Sequence, residues 1–274
     1  MASRVTFIGA GNMAGAIIGG MLDSGHPATA ITATSPSDAF LAPLRERFAI
    51  HTSLDNAAAV QDADIVVLAV KPQIMREVCD GLRDTLQRHR PLVISVAAGL
   101  TAKTLQSWLG GELPLVRCMP NTPSLVGAGA AGLFATAEVS AKQRAQAGEL
   151  LEAVGLVEWV EEESLLDAIT AVSGSGPAYF FLMFEAMEEA GVKLGLPADT
   201  ARRLAMQTAS GAAKMAMASE QSPAELKRNV MSPGGTTERA VEYLEQADLR
   251  NILAAAMDAC AARAREMAEE LGKH

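Results

Sequence analysis

The sequence predicts a doubly wound α/β domain followed by an all-α domain. Three observations carry this reading. β-rich runs alternate with helical stretches over residues 1–161, a glycine loop follows the first run at once, and strand-like segments vanish from residue 162 onward. Short, near-continuous Val, Ile and Leu runs suit strands buried on both faces of a parallel sheet, and alternation with helices favours the doubly wound form.

The strand candidates, in order, are 4–9 (RVTFIG), 30–34 (AITAT), 64–70 (DIVVLAV), 91–97 (PLVISVA) and 113–119 (LPLVRCM). Helices are predicted from Met13 to Ser24, ended by Gly25, and from Gln73 to Gln87 after Pro72. Two later runs, 130–135 and 155–160, bracket a helix around 140–153 and extend the sheet. Helices then follow over 163–172, 177–194, 197–219, 222–230, 234–246 and 248–271, with Gly195, Pro197, Ser222 and Pro223 as punctuation. The expected division is a dinucleotide-binding domain over 1–161 and a helical domain over 162–274. Eight of the thirteen methionines lie in 163–274, amid abundant alanine. Apolar helices with Met at helical spacing build a core or an intersubunit face, and a homo-oligomer through this half is expected.

Composition narrows the function. A hydrophobic content of 49% with 20% charged residues fits a soluble globular chain. The net charge of −9 argues against a nucleic-acid partner. Cys79, Cys118 and Cys260 are scattered without C-x-x-C spacing, so neither a disulfide framework nor a metal site is expected. No signal peptide is legible and no apolar run is expected to reach the length that spans a bilayer, so the expectation is a cytoplasmic protein with no membrane partner.

The loop after the first strand reads Gly9-Ala10-Gly11-Asn12-Met13-Ala14. This is the G-x-G-x-x-G/A fingerprint of a Rossmann-type domain. Gly9 permits the tight turn, Gly11 lets backbone approach a pyrophosphate, and Ala14 keeps helix close to strand. At the end of the second strand, where an NAD site places an acid, stand Thr34, Ser35 and Ser37. Hydroxyls accommodate a 2′-phosphate, so NADPH is favoured, with NADH the alternative; Asp38 is the counter-signal unless it opens a helix. Ala69, Val70, Lys71, Pro72, Ala97 and Ala98 leave the carboxyl edge of the sheet and could wall the cofactor. Lys71 reads equally as a solvated strand-end lysine, and Asn56 either caps a helix or touches the adenosine ribose.

The chain resembles the pyrroline-5-carboxylate reductase family from end to end. The resemblance rests on FIGAGNMAGAI (7–17), LAVKPQ (68–73), RCMPNTP (117–123), AVSGSGPAYFF (171–181), GVKLGLP (191–197) and NVMSPGGTTERA (229–240). It implies reduction of the cyclic imine Δ1-pyrroline-5-carboxylate to L-proline with NADPH or NADH, the last step of proline synthesis. It implies a helical dimerisation domain, at least a homodimer, and a decamer as further assembly. By resemblance, Ile8–Met13 hold the pyrophosphate, Ser35 the 2′-phosphate side and Asn56 the ribose. Ala69–Pro72 and Val96–Ala98 line the nicotinamide end, and Asn229 reaches cofactor from the helical half. Glu163, Thr236 and Thr237 match positions that contact proline in similar proteins. Thr236 stands where some relatives have alanine, which leaves its backbone as the contact.

The residues themselves agree with imine chemistry. His26, His51, His89 and His274 lie in no motif and read as loop or surface histidines. An alcohol dehydrogenase needs a proton acceptor, whereas a protonated imine accepts hydride directly and needs mainly orientation, worth up to ~7–11 kcal/mol. Residues 232–237 (SPGGTT) offer this without an acid or base. Pro233 suits a helix's first turn, Gly234 and Gly235 let a ligand approach backbone, and free N–H groups bind a carboxylate. A Thr237 hydroxyl could hydrogen-bond the ring nitrogen, making it the candidate catalytic residue. The plainer reading makes Ser232 an ordinary N-cap. Ser173–Gly176 are expected to pack helices closely, with Ser175 lacking the histidine of an acyl-transfer site. A β-hydroxyacid dehydrogenase would carry a lysine soon after SGSGPAYFF; none occurs before Lys193. A non-catalytic NADP-binding regulator leaves SPGGTT unexplained.

Overall fold

The computed structural model describes residues 2–273, so the predicted surface position of His274 lies outside the described residues. Eight strands form one sheet: β1 (Val5–Ile8), β2 (Ile31–Thr34), β3 (His51–Ser53), β4 (Ile65–Leu68), β5 (Leu92–Ser95), β6 (Leu115–Met119), β7 (Gly129–Ala135) and β8 (Gly155–Trp159). Their order is β3-β2-β1-β4-β5-β6-β7-β8, and every pairing is parallel except β6 with β7. Around them lie α1 (Asn12–Asp23), α2 (Asp38–Phe48), α3 (Asn56–Ala59), α4 (Pro72–His89), α5 (Ala102–Trp108) and α6 (Ala141–Glu152).

The strands are apolar on both sides because both sides are covered. Val5, Phe7, Ile65 and Val67 face one buried cluster with Ile17 and Ile18 of α1 and Leu150 of α6. Ile8, Val66 and Leu68 face another with Met75, Cys79 and Leu82 of α4 and Leu105 of α5. Each such side chain contributes about 1.5–3 kcal/mol by leaving water.

The later helices are α7 (Leu165–Ile169), a π-helical turn over Thr170–Gly174, α8 (Gly176–Lys193), α9 (Ala198–Met217), α10 (Pro223–Val230), α11 (Thr236–Gln246) and α12 (Leu249–Gly272). Two compact units result: residues 1–175 with 259–274, and residues 176–258. The grammatical change at 161/162 thus precedes the division between units, and the end of α12 returns to the first unit. There Leu271 packs against the second apolar cluster, and a side chain at Gly99 would meet Leu271 and Met267.

The seven predicted strands are present, six of them trimmed by one to three residues in all and β7 longer by Gly129. The three-residue strand β3 and the helices α2, α3 and α5 went unpredicted. One correction concerns length. Leu165–Lys193 runs as a single 29-residue helix, apolar and long enough by composition to cross a bilayer, contrary to the expectation that no segment is. The Ser-Gly-Ser-Gly stretch, read as a break, is absorbed by the π turn, in which the Ser175 N–H reaches the Thr170 carbonyl at 2.8 Å.

Candidate active site

One row of backbone organises the first unit's site. Ile8 pairs with Thr34 and with Leu68, Leu68 pairs with Ser95, and Ser95 pairs with Arg117. Residues 9–13, 35–37, 69–72 and 96–98 all leave the sheet at this edge. The cofactor segments predicted in this unit are therefore brought together, at the carboxyl ends where α/β ligands bind.

Gly9 has φ +106°, and a Cβ there would stand 2.5 Å from the Ala69 carbonyl oxygen, so no other residue fits between β1 and β4. Gly11 is the extended N-cap of α1 and provides no side-chain cap. A Cβ at Gly11 would meet nothing within 4 Å. The first N–H groups of α1 thus start uncapped beside open space, which fits a dinucleotide pyrophosphate. Ala14 is fully buried and performs the close packing expected of the third position.

Ser35 lies at the predicted edge but is 6% exposed, its Oγ accepting the Ser37 N–H at 3.4 Å. Ser37 caps α2 by accepting the Ala39 N–H and is the more open hydroxyl. Asp38 opens α2, as its alternative reading required. The Arg45 guanidinium forks onto it at 3.0 and 3.3 Å and holds its carboxyl below the usual carboxylate range. The acid that opens α2 is thus neutralised within its own helix.

Capping of α3 falls to Asp55, which accepts the Ala58 N–H, and not to Asn56. Asn56 instead accepts the Thr34 hydroxyl at 2.6 Å, tying α3 to the end of β2 and leaving its NH2 for a ligand. Lys71 is exposed at the N-cap of α4 with Pro72 at its first turn. The Ala69 N–H reaches the Ile8 carbonyl at 2.8 Å and the Val96 N–H reaches Leu68 at 3.2 Å, which fixes both wall segments.

Glu163 has partners that sequence reasoning missed. Its Oε1 accepts the Ala102 N–H at the start of α5 and the Arg117 Nη1, both at 2.6 Å. The pair is half-buried, at 12% and 27% side-chain exposure. Forty-six positions separate the two residues, so no local signal could have linked them.

In the second unit the Gly235 N–H donates to the Ser232 carbonyl at 2.8 Å, and Gly234 has φ +70°. With Pro233 and Gly234 at its centre, this has the signature of a type II turn. Two readings are corrected here. Pro233 belongs to the turn and not to the helix's first turn, and the N-cap is Gly235, not Ser232, because α11 starts at Thr236. Both glycines stand outside the helix and do not weaken it. Thr236 and Thr237 become its first two residues, one exposed and one half-buried. Glu238, unremarked in the sequence, accepts the Gly234 N–H at 2.6 Å and braces the turn. Asn229, at the end of α10, donates to Gln221 at 2.9 Å.

Ser173 and Ser175 are not set up as nucleophiles. Ser173 donates to the Ile169 carbonyl, Ser175 lies 3.2 Å from the Cys260 sulfur, and a Cβ on Gly174 would strike Met119 at 2.5 Å. This is the expected close packing. Burial raises the Cys118 thiol, and it pushes Cys79 up to about 12, which keeps both protonated and inert. Among the described residues no cluster of His, Cys, Asp or Glu could hold a metal ion.

Residues 163–267 match the sequence profile "Pyrroline-5-carboxylate reductase dimerisation", and residues 4–99 match "NADP oxidoreductase coenzyme F420-dependent". A pyrroline-5-carboxylate reductase of Pseudomonas aeruginosa is 51% identical over 270 residues, covering 98% of both chains. The chain belongs to the pyrroline-5-carboxylate reductase family. Another member of this reductase family, from Vibrio alginolyticus, is 46% identical over 96% of this chain and 97% of its own. The solved reductase of Coxiella burnetii superposes with a TM-score of 0.94 at 46% identity, covering 97% of this chain and 99% of its own. The Plasmodium falciparum reductase, solved with NADP bound, gives 0.85 at 29% identity over 97% and 98%. The second unit accordingly carries the dimerisation region of the reductase family, and its apolar surface agrees. Phe180, Phe181, Leu182 and Met183 of α8 and Leu204 and Met206 of α9 are all exposed in the single chain.

Proposed function

We propose that this chain reduces Δ1-pyrroline-5-carboxylate to L-proline as the final step of proline biosynthesis. The observation that carries the proposal is the glycine turn at 232–235 opening onto an uncapped α11. It offers the uncapped N–H groups of Thr236 and Thr237 and a hydroxyl, and its one acid, Glu238, is spent on bracing the turn. Relatives bearing this activity's name cover essentially the whole chain.

NADPH, or NADH in its place, supplies the hydride. Residues 8–13 bind its pyrophosphate, the Ser35–Ser37 hydroxyls face the 2′-phosphate, Asn56 holds the ribose, and 69–72 with 96–98 orient the nicotinamide. Asn229 is assigned to cofactor from the helical region. The turn of Ser232, Gly234 and Gly235 lines the substrate carboxylate and presents the Thr236 N–H to it, and the Thr237 hydroxyl accepts the iminium N–H. Glu163 is a further substrate contact. Functionally, 1–161 serves as the cofactor domain and 162–274 as the dimerisation and substrate domain. The exposed face of α8 and α9 is assigned to a second copy of the chain and not to lipid, with a decamer as the larger assembly and the cytoplasm as its place.

The test follows NADPH oxidation at 340 nm with pyrroline-5-carboxylate, with a small 3-oxo acid, and with NADH replacing NADPH. Consumption with the imine alone, faster with NADPH, is expected. Cofactor binding without turnover would sink the reading, and a clear NADH preference would overturn the 2′-phosphate assignment.

A further inference from the structure

The first unit holds a charge pair of which only Glu163 has a place in the proposed reaction. Arg117 stands on β6 in the row shared by Ile8, Leu68 and Ser95, one strand away from the segment 96–98. Its side chain is 12% exposed, and Arg117 Nη1 and the Ala102 N–H converge on a single oxygen of Glu163. An arginine taken this far out of water needs its carboxylate, and its Nη1 and the Ala102 N–H together fix that carboxylate's direction, at a reach a shorter lysine does not match.

We infer that Arg117 is a positioning residue: by fastening Oε1 of Glu163 it aims the other oxygen, Oε2, at the imine substrate beside the nicotinamide. The inference rests on the reductase reading, in which Glu163 touches substrate. Two donors on Oε1 leave Oε2 to accept from the protonated ring nitrogen of the product, which carries two N–H groups where the iminium carries one. Arg117 itself touches neither. A second carboxylate, Asp167, also lies in the field of Arg117, and there burial raises the pKa while Arg117 and Arg265 lower it. Of these two acids Glu163 is the one in direct contact with Arg117.

The experiment compares wild type, Arg117→Lys, Arg117→Met, Glu163→Gln and the Arg117→Met/Glu163→Gln double variant. It reads kcat and KM for pyrroline-5-carboxylate, the Kd for NADPH by fluorescence, and the melting temperature. Wild-type turnover of the imine is measured first, so failure of the reductase reading is seen separately. Both single losses should lower kcat/KM for the imine by about 10-fold or more, with the NADPH Kd changed by less than about 3-fold, as for a hydrogen bond to a charged group. The double variant should be no worse than Glu163→Gln alone, because both act through one oxygen. Arg117→Lys keeps the charge and guards against misfolding; it should melt near wild type yet recover only part of the imine kcat/KM. Additive losses in the double variant, full activity in Arg117→Lys, or matched losses of NADPH binding and melting temperature would each overturn the inference.

Discussion

Thr237 is where a single atom matters most. It is the second residue of α11, half-buried, with its hydroxyl placed to meet a ring nitrogen under the proposed function. Thr237→Ala should lower kcat/KM for the imine about 10- to 100-fold, the worth of a hydrogen bond to a charged group, while NADPH affinity stays within about twofold. Equal losses in steady-state turnover and in fluorescence-measured cofactor binding would reduce Thr237 to a structural part. Asp167 makes a second prediction at this scale. Burial raises its pKa in the folded state. Below the ordinary carboxylate value the group is protonated whether the chain is folded or not. As pH rises toward the raised folded value, the unfolded chain ionises first, and stability is lost across that window and stays lost above it. Asp167→Asn should therefore melt higher than wild type at neutral pH, and thermal scans should show the gain vanishing below about pH 4.

At the scale of elements, the turn before α11 depends on a glycine in left-handed backbone. Gly234→Ala forces a Cβ into φ +70°, at a cost of roughly 1–2 kcal/mol. Differential scanning should record a slightly lower melting point. A larger fall should appear in imine turnover, because the turn aims the N–H groups of the helix start. The sequence exposed much of this level. Strands β1, β4 and β5 read clearly because burial on both faces leaves continuous Val, Ile and Leu. β3 did not, since His51-Thr52-Ser53 is short, polar and at the sheet edge, where pairing replaces burial as the reason to be a strand. α2 was obscured by Pro43 and its basic residues, and α5 by its seven-residue length. In the site, the fingerprint loop and the SPGGTT segment were legible because local backbone rules write them. The bonds from Glu163 to Arg117, from Asn56 to Thr34 and from Glu238 to Gly234 were not. The first two join residues that only the folded sheet brings together, and the third depends on the helix starting at Thr236 and not at Gly234.

At the scale of the molecule, the second unit buries almost none of its own apolar side chains. Apart from Gly176, Ala201 and Ala205, its helices leave their residues at least partly open in the single chain, Phe181 and Leu182 among them at more than 60%. A surface of this kind is stable when another copy covers it. Phe181→Glu should shift sedimentation toward monomer and remove activity with it, whereas the same change at an exposed polar residue such as Gln207 should do neither.

The return of the chain's last helix has a consequence for how this protein is made. Residues 259–272 bring Met267 and Leu271 against Gly99 in the unit that otherwise comprises the first 175 residues. During synthesis that unit emerges early, as N-terminal portions usually do, but its last wall is translated only after all of the second unit. The nascent sheet must therefore wait on the ribosome with the floor of its 97–100 loop uncovered. A chain stalled anywhere in α9 to α11 carries an open seam that the finished protein never shows.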